Sequence, residues 1–102
     1  MIHVIAVITA KPGQRAALLD LFRANVPAVL AEDGCIEYGA AVDIDAIGAA
    51  QARFGDDAFV VIEKWASIEH LRAHAAAPHM KEYGLKAKDL IANRAIHVLG
   101  AA

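Results

Sequence analysis

Two stretches of this sequence, Ile2–Ala10 (IHVIAVITA) and Ala58–Ala66 (AFVVIEKWA), are apolar on both alternating faces, and that narrows the folds open to the chain. Successive side chains of a strand point to opposite sides. In the first stretch Ile2, Val4, Ala6 and Ile8 share one face, while Ile5 and Val7 lie on the other with His3 and Thr9. In the second, Phe59, Val61, Glu63 and Trp65 oppose Val60, Ile62 and Lys64. Strands greasy on both faces sit in the middle of a sheet that is covered on both sides. The rest of the chain has to supply that cover.

Between them, Lys11-Pro12-Gly13 ends the first strand, and Gln14–Ala31 takes up helical spacing with Leu18, Leu19, Phe22, Val26, Val29 and Leu30 as its apolar stripe. Pro27 removes one helical hydrogen bond, which predicts a kink or break near Asn25. Glu32-Asp33-Gly34 reads as a turn. Cys35–Ile44 follows as a half-solvated edge strand with Ile36, Tyr38, Ala40, Val42 and Ile44 on one face. Asp45–Asp57 is a long loop, of the length that is often functional or mobile.

After the second central strand, Ser67 is a good helix N-cap, with Glu69 in the first turn. The helix runs to about Ala77, restarts at Pro78 and continues to about Ile91, and Ala95–Leu99 closes the chain as a last strand. The order is βαββαβ, an α+β class ferredoxin-like plait forming a single domain over residues 1–102. Both helices of such a plait cover one face, so the other needs a second sheet. Two copies packed face to face, a homodimer, satisfy that need.

Composition closes several alternatives. The chain has 102 residues and a net charge of −2 with the signs well mixed, which argues against nucleic acid as the main partner. Mean hydropathy is +0.40, yet charges at Lys11, Arg15, Asp20 and Arg23 interrupt every apolar run before it reaches membrane-span length. No basic segment followed by an apolar cleavable region opens the chain, and the single Cys35 cannot form an internal disulfide. Both point to a reducing cytoplasm. There is no glycine-rich phosphate loop, dinucleotide fingerprint or G-x-S-x-G elbow.

The groups able to hold or move protons gather between Phe59 and Tyr83. Glu63 is a carboxylate inside an apolar strand, on the same face as Trp65, and needs a cationic or histidine partner or a place at a cavity mouth. His70 and His74 are four residues apart, but H-L-R-A-H lacks the glutamate of the zinc-protease motif, so a metal site is not expected. His74, one turn after Leu71, lies toward the apolar side, and His79 follows Pro78 where capping explains it as well as catalysis does. Tyr38 and Tyr83 are either packing residues or donors to a bound oxygen.

The segments IAVITAKPGQ, VPAVLAEDGCIEY and VVIEKWASIEHLRAHAAAPHMKEY resemble the antibiotic-biosynthesis monooxygenase family over nearly the whole chain, closest to its small bacterial quinol monooxygenase branch. The most specific part is E-x-W-x-S-x-x-x-L-x-x-H-x-x-x-P-H from Glu63 to His79. The resemblance implies a dimeric α+β barrel and oxidation of quinols or phenols by dioxygen without metal, flavin or haem. The haem-degrading branch carries a first-strand Asn, a helix Trp and a ligating His where this chain has Ala6, His74 and Gly84. The actinorhodin-type branch has a Tyr at Leu71.

The expected function is therefore a cofactor-independent monooxygenase or oxidase of a quinol or related phenol. His74, then His79, is the candidate base, because the ordinary imidazole pKa lies near neutrality. Glu63 orients it, Trp65 walls the cavity, Phe22, Phe59 and Met80 add apolar walls, and Tyr38 and Tyr83 donate. Two rival readings stand beside this one. An isomerase of a small phosphorylated sugar would need Arg53, Arg72, Lys81 or Lys86 to converge on a phosphate. A dimeric binder of quinones or aromatic metabolites would need no chemistry at all.

Overall fold

The computed structural model describes residues 1–102. Its strands are β1 (Ile2–Ala10), β2 (Cys35–Ala41), β3 (Ala58–Trp65) and β4 (Ile91–Leu99); its helices are α1 (Arg15–Leu30), α2 (Ile68–Ala76) and α3 (Pro78–Ala87). Short 3-10 turns lie at Gly48–Ala50 and Lys88–Leu90. The strands form one sheet in the order β2-β3-β1-β4, every neighbour antiparallel. This is the ferredoxin-like α+β plait, with the two doubly apolar strands side by side at its centre.

The hydrophobic alternation decides which face receives the helices. Val4, Ala6, Ile8 and Ala10 of β1 are buried, and the residues between them only half-buried. From β3, Phe59, Val61 and Trp65 join them, and α1 lowers Leu18, Leu19, Phe22 and Val29 onto this surface. Each large side chain so buried contributes about 1.5–3 kcal/mol. On the opposite face Ile5 pairs with Ile62 and His97, and Val7 with Val60 and Ala95, an apolar strip over which no helix lies.

Four local expectations are corrected. α1 continues unbroken through Pro27 instead of kinking near Asn25. The carbonyl that loses its hydrogen bond belongs to Arg23, which is exposed, so water replaces the missing donor. β2 stops at Ala41 rather than Ile44, because the Asp43 carboxylate turns away to accept from the backbone N–H groups of Gly55 (2.9 Å) and Phe54 (3.2 Å). Those two donors hold the Asp43 carboxyl below its ordinary pKa. A bulge between Cys35 and Glu37 leaves Ile36 without a partner and 53% exposed, so it does not share the buried setting of Tyr38. β4 begins at Ile91, four residues before the expected Ala95, as the 3-10 turn after α3 delivers the chain straight into the sheet.

One glycine is sterically obligatory. Gly34, between α1 and β2, has φ +77°, and a Cβ there would stand 2.3 Å from Cγ of His70. His70 is held in that position by Ser67, whose Oγ accepts from its backbone N–H (3.3 Å) and lies 2.7 Å from its ring Nδ1. Gly34→Ala therefore meets both a left-handed backbone and a clash, and should destabilise the fold by at least ~1–3 kcal/mol. Urea denaturation checks this, and in a His70→Ala background the cost should shrink to the backbone part alone.

Candidate active site

Glu63 and His74 approach the same space from opposite sides, one from the centre of β3 and the other from the last turn of α2. Between the sheet and the pair α2–α3 lies a cavity of about 460 Å³, walled mostly by apolar side chains. It exists because no helix packs extensively over β4. Ile96 and Val98 face the helix side of the sheet, opposite Ala6 and Val4, yet remain 56% and 50% exposed. The volume lies in the range of small-molecule sites.

At the buried end His74 is nearly inaccessible. Its Nδ1 lies 2.7 Å from Oε2 of Glu32. A carboxylate oxygen only accepts, so Nδ1 carries the proton of that bond and Nε2 is the ring nitrogen left for other work. Trp65 packs against the imidazole with ring centres 4.6 Å apart, and Tyr38 meets it edge-on at 5.5 Å. The same Glu32 oxygen lies 3.2 Å from Nε2 of His79, whose ring is turned off the hydrogen-bond line. Nδ1 of His79 rests 3.2 Å from Oδ1 of Asn25, and the Asn25 amide in turn donates to the Met80 sulfur. One carboxylate thus sits between two histidines, at the junction of α1, α2 and α3.

Glu63 has a different partner. Its Oε1 accepts from the Trp65 indole N–H at 2.8 Å, which satisfies the tryptophan and fixes the carboxyl against β3. Burial pushes the Glu63 carboxyl pKa up, opposed by the indole bond and by the nearby His74, with Glu32 adding to the rise. Burial, the largest cause, and the neighbouring Glu63 charge also raise the Tyr38 hydroxyl, and burial raises that of Tyr83. Both phenols stay protonated and able to donate at neutral pH.

Of the residues expected from sequence, Glu63, His74, Phe22, Tyr38, Met80 and Tyr83 all line the cavity. Trp65 and Phe59 do not: both are fully buried behind it, Trp65 against His74 and Phe59 against Phe22 with ring centres 5.8 Å apart. His79 lines a separate cleft of about 150 Å³. The carboxylate that orients His74 is Glu32, not Glu63. Glu32 belongs to the Glu32-Asp33-Gly34 turn, yet its place carries a signal. It stands just past the Ala31 cap of α1, whose last turn holds no basic residue, and a carboxylate at the negative end of a helix is unfavourable without a cationic or donor partner elsewhere. His70 bonds to Ser67 and approaches Asp33, so the two i,i+4 histidines face different partners, and no group of three or more ligating side chains is arranged around a metal position.

The four cations that a phosphate site would need do not converge. Arg53 pairs with Asp45 and Asp56 in the loop before β3, Lys86 pairs with Glu82, Arg72 is exposed, and only Lys81 reaches the main cavity.

Comparison with known proteins matches this architecture to relatives. The sequence profile described as "Antibiotic biosynthesis monooxygenase" covers residues 1–84. The chain belongs to the antibiotic biosynthesis monooxygenase family. It is 44% identical over 101 residues to an Escherichia coli K12 protein named "Probable quinol monooxygenase YgiN", covering 97% of this chain and 96% of that one. Solved structures from Pseudomonas aeruginosa (30% identity, TM-score 0.81, 99% and 93% of the two chains) and Mycobacterium tuberculosis (27%, 0.80, 99% and 94%) share the fold. As a family member the chain is an enzyme of the monooxygenase class. No helix is long and apolar enough to cross a membrane.

The raised pKa of Glu63 makes stability depend on pH with a definite sign. Its folded value lies above the ordinary 4.5, so its contribution is fully present below that pH and is lost as pH rises through the folded value. Glu63→Gln keeps an oxygen to accept from Trp65 without the buried charge. The variant should gain stability relative to wild type as pH rises from about 4 toward 8, as read from urea midpoints across that range.

Proposed function

We propose that this enzyme oxidises a quinol or related phenol with dioxygen, drawing the electrons from the substrate itself. The observation that carries the reading is His74: a buried imidazole at the end of an apolar cavity, its Nδ1 held by Glu32 at 2.7 Å and its Nε2 left as a base. The 44% identity to a protein named as a quinol monooxygenase supports the same substrate class.

In this scheme the ring seats among Phe22, Met80 and Leu71, with one hydroxyl toward His74. Nε2 takes the hydroxyl proton, and the imidazolium that forms is stabilised by Glu32. The phenolate passes one electron to dioxygen, and recombination forms a carbon–oxygen bond to a ring carbon. Loss of water from the resulting peroxide leaves a hydroxyquinone. The sum, quinol plus O₂ to hydroxyquinone plus H₂O, balances in atoms and in the four electrons dioxygen accepts. Tyr38 and Tyr83 donate to the oxygens on which negative charge develops. His79, across Glu32 from His74, lines a separate cleft and does not meet the substrate in this scheme.

Oxygen uptake with a panel of reduced quinols, corrected for autoxidation at every pH, tests the reading. His74→Ala should lower kcat by ~10²–10⁴-fold with KM little changed. His79→Ala should leave kcat within a few-fold of wild type and lose stability instead. No enzyme-dependent uptake with any quinol would leave the binder reading in its place.

The apolar strip on the sheet face away from the helices supports assembly as a homodimer through that face. Ile5, Val7 and Ile62, half-buried in the single chain, would be buried between two copies. A stable interface should exceed ~1,200 Å². Light scattering at micromolar concentration should give twice the chain mass; a monomer mass would refute it.

A further inference from the structure

The cavity has two chemically different ends, and only one is accounted for by the reaction. Four of its lining residues carry ionisable groups outside the phenols: Glu63, His74, Lys81 and Arg94. Glu63 and His74 are buried, at 7% and 5% exposure. Lys81 and Arg94 are exposed and stand at the open side, Lys81 from α3 and Arg94 from β4. The strand register turns Arg94 inward: it pairs with Ile8, whose side chain is buried on the helix face.

Neither cation has a carboxylate partner, although the chain as a whole is acidic, at −2. The acid next to Lys81 in sequence, Glu82, is engaged with Lys86 at 3.2 Å. Glu63 is the one carboxyl lining the same cavity, and its bond goes to Trp65. Two unpaired cations lining one cavity make its potential positive, and apolar walls focus that field. An inward-pointing charge on an edge strand can also serve to block strand addition, which would explain Arg94 alone. It does not explain an unpaired lysine delivered to the same opening by a helix.

We propose that the preferred substrates carry a carboxylate, which Lys81 and Arg94 hold at the cavity opening while the ring hydroxyl meets His74. This rests on the quinol reading for the hydroxyl end only. The carboxylate end stands on the two cations. It offers them charge-assisted hydrogen bonds, and the planar guanidinium suits a carboxylate fork. The two contacts together set the ring's orientation, which fixes the carbon presented to dioxygen.

The test separates the two ends. Binding of 2-naphthoate and 2-naphthamide, equal in shape and different in charge, is followed by calorimetry on the wild-type protein; neither ligand can be oxidised as a quinol. The naphthoate should bind more tightly by about five- to ten-fold at low salt, and the advantage should shrink as salt rises. Arg94→Gln and Lys81→Gln should each remove a large part of it while leaving naphthamide binding unchanged. Equal affinity for the two ligands overturns the proposal, whatever the protein does to quinols. In turnover, 1,4-dihydroxy-2-naphthoate should show a lower KM than 1,4-dihydroxynaphthalene, and the variants should raise KM for the first alone. A fall in kcat of equal size on both substrates would place the cations in the chemistry and also overturn it. Absence of turnover with either, alongside the predicted binding difference, would sink the quinol reading and spare the carboxylate site.

Discussion

The structure depends on a mismatch between the sheet and the helices laid on it. Three helices bury one face of β1, β2 and β3 around Leu18, Phe22, Phe59 and Trp65, but none packs extensively over β4. Ile96 and Val98 are thereby left as a wall rather than a core. Helices laid over β4 would fill this space, so the missing layer is what leaves the cavity of about 460 Å³ open. The same sheet has a second apolar face with no helix at all. One sheet therefore presents a cavity on one side and, on the other, a face over which no helix lies.

Glu32 ties the functional end of this arrangement together. It stands just past the C-terminal cap of α1 and reaches His74 on α2, 42 residues away, while the same oxygen lies close to His79 on α3. Such a carboxylate does two jobs that are hard to separate by inspection. It satisfies a buried histidine, which would otherwise cost stability, and it selects the tautomer that leaves Nε2 without a proton. The buried Glu63–Trp65 bond at 2.8 Å is the complementary device on β3: it gives an otherwise isolated carboxyl a donor and gives the indole its acceptor. Polar groups in this core come in such pairs, and each pair borders the cavity.

Much of the fold was legible in the residues themselves. The period-two alternation of Ile2–Ala10 and Ala58–Ala66 marked the central strands, Ser67 marked the start of α2, and Pro78 the break to α3. Six of the nine expected site residues line the cavity, because they share a face with the apolar stripe that forms it. The misses have local causes. Pro27 leaves α1 whole because Arg23, whose carbonyl loses its donor, is an exposed residue, and Ile36 loses its place to a bulge that alternation cannot foresee. Arg94 lies one residue before the strand start that alternation marks at Ala95, so the pattern alone assigns it no face.

The sequence by itself determined what depends on neighbours along the chain: strand and helix periods, caps, breaks, and the side of each element that seeks burial. Tertiary structure alone decided what depends on which elements meet. That Glu32 rather than Glu63 holds His74, that Trp65 and Phe59 stand behind the wall rather than in it, and that Lys81 and Arg94 share one opening are all consequences of packing α1, α2, α3 and β4 around one space. A carboxylate reaches only a few ångströms and has no preferred partner in sequence, so its pairing is fixed by folding distance. Apolar burial is non-directional and reads out in local pattern, whereas hydrogen bonds and charges are short-ranged and specific, and only the folded chain assigns them.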